Sequence, residues 1–176
     1  MTGKTLKDLF LHTVKDVYFA EHEIAKTLPK MSKAAKAPGL SKAFDKHLAE
    51  TKGQIERLDE VFKLLGVKAE GVPCEAIKGI LKEGAEVMEE FGGSAALDAG
   101  LIAAAQAVEH YEIARYGTMR VWAQELGMTD VEDLLAATLA EEHATDEALT
   151  VLAESSVNLA AEGQAKPAAK SRAKAA

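Results

Sequence analysis

Apolar residues recur at helical spacing through four long stretches of this chain. Leu6, Phe10, Val17, Ile24 and Leu28 line one stripe of a segment expected to be helical from Thr5 to Ala35. "KAPGLS" interrupts it, Ser41 is placed to cap a second helix from Lys42 to Leu65, and "GV" ends that helix. A third periodic segment spans Ser94 to Leu126 and stops at Gly127; Thr129 or Asp130 then caps a fourth, from Val131 to Leu159. The first–second and third–fourth connections are short, so each pair should form an antiparallel hairpin. The stretch between the hairpins is too long for a tight turn and holds an amphipathic piece, Glu75 to Phe91, expected as a fifth, shorter helix.

The pattern predicts an all-α protein in which two antiparallel hairpins, joined by one long crossover, build a four-helix bundle with the fifth helix in the crossover. That is the ferritin-like arrangement rather than a simple up-down-up-down bundle. Residues 1–160 should form this bundle. The remainder, 161–176, holds "GQAKPAAKSRAKAA", which has no apolar face and reads as a basic, alanine-rich, disordered tail.

Acidic residues break the apolar stripes in a consistent way. At about 100° of rotation per residue, Glu112 falls only about 20° from the line through Leu101 and Met119. Glu21 lies within the stripe of the first helix, close to Ile24 and Leu28, and Glu142 is in line with Leu135 and Leu149. Glu109 sits at the stripe's edge one turn from Glu112, and Asp146 one turn beyond Glu142. In the second helix His47, Thr51 and Gln54 are central, with Glu50 flanking them. Measured from the hairpin turns, all four helices bring these positions to similar depth, within about 7 Å at 1.5 Å per residue.

An ionised carboxylate buried alone costs several kcal/mol. Arg57 and Arg115 are available to neutralise one of them. A cluster from several helices is better resolved by a multivalent cation. Carboxylates with few histidines and no thiolates suit iron or manganese better than a closed zinc site.

Composition narrows the function classes. A net charge of −7 argues against a body that grips nucleic acid or anionic lipid, leaving only a weak role of that kind for the basic tail. The single cysteine, Cys74, cannot form an intrachain disulfide and fits a small buried residue. The opening "MTGKTLKDLF" has no apolar signal core and no run approaches a membrane span, so a cytoplasmic protein is expected. No phosphate-binding glycine loop or Ser/His/Asp order is present.

"HLAETKGQIERLDEVF", "EHYEIARYGT" and "AEEHATDEALTVLA" together resemble the YciF/YciE-type bacterial stress proteins, a ferritin-like family. The resemblance implies a dimer with a rubrerythrin-like pair of iron ions, manganese being the alternative metal. It gives Glu21, Glu50, Glu112 and Glu142 the ligand roles of the four helices and makes Glu109 an additional carboxylate. The expected histidines three residues after Glu50 and Glu142 are replaced by Gly53 and Thr145. His47, Gln54 and Asp146 are neighbours able to substitute, and no catalytic group beyond the metal ligands is expected. His110 points away from the core stripe, and His12 and His22 read as surface or packing residues. Phe19, off the main stripe, offers apolar surface for a partner copy. The function implied is oxidation of Fe(II) or removal of peroxide during stress; the alternative is a non-catalytic bundle with a degenerate site.

Overall fold

The structure, a computed structural model, describes residues 4–163. Five main helices appear in the expected order: α1 (Leu6–Ala34), α2 (Pro38–Leu64), α3 (Glu75–Glu90), α4 (Leu97–Glu125) and α5 (Thr129–Leu152). A π-helical turn, Ala153–Val157, and a last short helix, α6 (Asn158–Ala161), extend α5. No strand occurs among the described residues. The expected basic tail falls almost wholly outside them.

The α1–α2 and α4–α5 hairpins pack against each other, α2 on α5 and α1 on α4, while α3 lies outside against α4 and α1. Direction follows from one contact at the end of α1. Asp98, in the first turn of α4, accepts from the backbone N–H of Lys36 (2.8 Å) and of Ala37 (2.7 Å). The start of α4 therefore lies beside the α1–α2 turn, and the long crossover has carried the chain back along the bundle. The crossover is anchored part-way by Val72, whose N–H donates to the Lys15 carbonyl at 3.1 Å. At Gly71 an added Cβ would stand 3.0 Å from Phe19 Cβ. Phe19 is half-buried, packed beside Gly71 of the crossover, and Lys78 lies over its ring at 5.5 Å.

Several expected helix ends move. The second helix begins at Pro38, not Lys42, with proline at its first position, where its missing N–H is harmless. Ser41 is therefore inside the helix, and Ser32 Oγ lies 3.0 Å from its hydroxyl. The fourth long helix starts at Thr129 after Met128, so neither Thr129 nor Asp130 is its cap. The third starts at Leu97, three residues after Ser94. Gly66 and Gly127 adopt positive φ (70° and 69°) and end their helices as read.

Two apolar clusters fill the bundle. One, toward the α1–α2 turn, contains Ile24, Leu28, Leu40, Phe44, Leu101 and Leu149. The other, toward the opposite end, contains Phe10, Val14, Leu58, Phe62, Met119 and Leu135. Between them the stripes change character.

Candidate metal centre

At mid-bundle each of the four long helices turns polar side chains inward. Glu21 of α1, Thr51 and Gln54 of α2, Glu112 of α4 and Glu142 of α5 are fully buried, at 0% exposure. His47 of α2 and Glu109 of α4 are buried with them. The positions follow from helix geometry: residues three and four apart stack on one face, so His47, Thr51 and Gln54 form a row, as do Glu109 and Glu112.

His47, Glu109, Glu112 and Glu142 each present one nitrogen or oxygen such that the four atoms lie within 4.8 Å of one another. His47 Nε2 stands 3.3 Å from Glu109 Oε1. Around this group, Tyr116 donates its hydroxyl to Glu21, and Gln54 donates its amide to Glu142 and, at 3.2 Å, to Glu141. Glu141 is paired with Arg57, whose Nε also donates to Thr138 at 2.9 Å. Arg115 lies 3.9 Å from Asp16 and over the Tyr111 ring. Neither arginine therefore neutralises Glu112.

The remaining hydrogen-bonding capacity is left over. Both oxygens of Glu112, one oxygen each of Glu21, Glu109 and Glu142, and both ring nitrogens of His47 are buried without a hydrogen-bond partner. Buried polar groups in folded proteins are otherwise almost always paired, and each orphan costs about 1–3 kcal/mol. So many, converging from four helices, match the donor set of a cation: hard carboxylate oxygens plus one imidazole. The residues fit a metal.

Electrostatics agrees. Burial, reinforced by the charge of Glu142, pushes the Glu21 carboxyl up to about 8. Glu109 rises to about 8 through burial, with like charge from Asp146 and Glu21 adding to it. Glu112 is raised well above the usual carboxylate range by burial and then by Glu21 and Glu142, and Glu142 rises to about 10. Burial lowers His47 to about 4, so its imidazole is neutral at pH 7 and keeps a lone pair for a cation.

Two of the sequence-based candidates lie at the margin. Glu50 is half-buried and paired with Lys46, yet its Oε2 is buried and unpartnered. Asp146 accepts from Gln106 at 3.0 Å and faces exposed His110 at 3.5 Å. Gln54 and Tyr116 complete the surroundings. Tyr116 was absent from the sequence-based set, although its spacing of four from Glu112 places it on the same face.

An all-α bundle of two hairpins around a buried carboxylate–histidine cluster is the class defined by this fold and site. The chain belongs to the DUF892 family, described as a domain of unknown function, whose model matches residues 5–162. It is 45% identical over 166 residues to protein YciF of Escherichia coli (strain K12), spanning 94% of this chain and 100% of that protein. The crystal structure of the E. coli stress protein YciF superposes with a TM-score of 0.84, covering 89% of this chain and 99% of that one. YcfI from Rhodopseudomonas palustris, described as a candidate structural protein, is 50% identical with a TM-score of 0.82, covering 84% and 94%. Among the described residues no helix is long and apolar enough to cross a membrane.

Proposed function

We propose that the protein is a cytoplasmic, dimeric stress-response protein whose core binds two iron ions, with manganese as the alternative, and oxidises Fe(II) with dioxygen or peroxide. The observation that carries this reading is the convergence of buried, unpartnered carboxylate oxygens and a neutral imidazole at mid-bundle. His47, Glu109, Glu112 and Glu142 would hold one ion. Glu21 and the buried oxygen of Glu50 are the remaining donors for a second. Iron bound there would supply the electrons, one from each Fe(II), for reducing one peroxide with two protons to two waters.

The chain's own contribution is positioning. Tyr116 orients Glu21, while Gln54, itself placed beside the Arg57–Glu141 pair, orients Glu142. The apolar clusters on both sides keep bulk water out. Similarity to the stress protein YciF supports the physiological setting, and the dimer rests on the family resemblance.

The test is metal analysis of the purified protein followed by anaerobic Fe(II) loading and exposure to oxidant. Binding of about two metal ions per chain, with Fe(II) oxidation faster than in buffer, is expected. Protein without metal affinity or rate enhancement would instead match a structural bundle, the description given to YcfI.

A further inference from the structure

Two buried oxygens of α2 have no role in the arrangement described so far. Thr51 and Gln54 are fully buried, and neither Thr51 Oγ1 nor Gln54 Oε1 meets a hydrogen-bond partner. A helical threonine has a partner at hand, the carbonyl four residues back, and Thr13 and Thr27 of α1 use it at 3.0 Å and 2.9 Å. Thr51 does not. Its hydroxyl stays in the inward row with His47 and Gln54. The Gln54 amide has its orientation fixed, because its nitrogen donates to Glu141 and Glu142, where an oxygen would face two carboxylates. Its own oxygen is thereby held away from them. Thr51 and Glu21 lie equally far from the α1–α2 turn, as Glu142 and Glu112 do from the α4–α5 turn. Thr51 therefore takes in its hairpin the place that Glu142 holds in the other. Glu21 Oε2 and Glu50 Oε2 are likewise buried and unpartnered. Glu142, which Gln54 touches, is near enough to Glu21 to act on its charge.

We infer that Thr51 and Gln54, together with Glu21 and Glu50, form an all-oxygen second cation position, weaker than the one at His47 and shifted in preference from iron toward manganese. The inference rests on the two-ion reading above and goes beyond it by making the two positions chemically unequal. The His47 position has an imidazole nitrogen among carboxylates. The other has carboxylate, amide carbonyl and hydroxyl oxygens only, a harder donor set. Imidazole suits iron, whereas carboxylate and carbonyl oxygens suit manganese and magnesium. The Thr51 and Gln54 oxygens are neutral, and the Arg57 cation is near enough to weigh on Glu21, so the second position attracts any cation less. With iron alone both positions fill, the second at higher concentration. With both metals present, manganese competes best at the second.

The test is anomalous diffraction at the iron and manganese edges from crystals of the protein loaded without oxygen at equal concentrations of Fe(II) and Mn(II). Two peaks are expected, with the iron-to-manganese ratio several-fold higher at the one beside His47. Equal ratios at two peaks overturn the proposal and leave the two-ion reading standing. A single peak beside His47 at saturating metal overturns both. Thr51→Val keeps the shape of the side chain and removes the hydroxyl. It should lower occupancy of the second position several-fold and leave the first unchanged. The metal-free melting temperature should stay the same or rise, because an unpartnered buried hydroxyl is gone. Thr51→Ser should bind both ions as wild type does. Loss at both positions together, or at neither, overturns the role of Thr51. His47→Gln exchanges the imidazole for an amide oxygen and should bring the iron-to-manganese ratio at the first position down to that at the second. An unchanged ratio there overturns donor type as the cause of the difference.

Discussion

At the scale of the residue, Glu112 decides between chemistry and packing. Both its oxygens are buried with no hydrogen-bond donor facing them except another carboxyl, Glu21, and no arginine compensates them. Burial and neighbouring carboxylates raise it well above the usual carboxylate range in the metal-free protein, and glutamine is nearly isosteric with its neutral form. Glu112→Gln should leave the metal-free protein within about 1 kcal/mol of wild type, or more stable. It should weaken iron or manganese binding by more than about tenfold, as loss of a ligand does when outer contacts alone are worth 10–100-fold. Equilibrium dialysis and melting curves with and without metal check this; equal metal-induced shifts for both proteins would contradict it. Gln54→Leu removes a donor to Glu142 while keeping bulk, and should lower metal affinity by about 10-fold or more, measurable by the same dialysis. The inward direction of Glu21, Glu112 and Glu142 was legible because long uninterrupted helices obey one angular period. Glu50 was less so: it stands at the stripe's edge, and Lys46 one turn earlier draws one oxygen outward.

At the scale of the element, the helices were legible and their ends were not. The start of α2 illustrates why. Its N-terminus has no side-chain cap of its own, and the preceding N–H groups of Lys36 and Ala37 are met by Asp98, about sixty residues away. Local rules pointed to Ser41, the nearest residue of capping type. A tertiary contact overrode them. Cys74 shows the same limit, since its thiol accepts from the Ile77 N–H at the start of α3 and lies 3.2 Å from the Tyr111 hydroxyl. Asp98→Ala should destabilise the fold by about 2–4 kcal/mol through loss of two hydrogen bonds to a carboxylate, read from denaturant unfolding. Gly71→Ala should loosen the crossover, because its Cβ meets Phe19 backbone at 3.2 Å as well as the side chain. Faster amide exchange at Val72 would register that loosening.

At the scale of the whole molecule, the site makes stability depend on pH and metal together. Glu21 and Glu109 titrate near 8 in the folded protein, above the ordinary glutamate value of 4.5. Between those values the folded state holds more protons than the unfolded state, so stability falls as pH rises, by about 1.4 kcal/mol per pH unit for each proton difference. His47 works in the opposite sense between its ordinary 6.5 and about 4, but it is one group against several. Metal-free protein should therefore lose stability from pH 5 toward pH 9. Saturating metal, which replaces those protons, should flatten or reverse the trend, and thermal melts across that range check both. Bundle topology and the depth of the acidic cluster could be read from periodicity and loop length, whereas the sharing of donors among Tyr116, Gln54 and Arg57 needed the packed structure. The most direct test of the metal centre is anomalous diffraction at the iron and manganese edges from crystals of protein purified with its metal. A peak bounded by His47, Glu109, Glu112 and Glu142 is the expected result; no peak there after iron and manganese loading would contradict it.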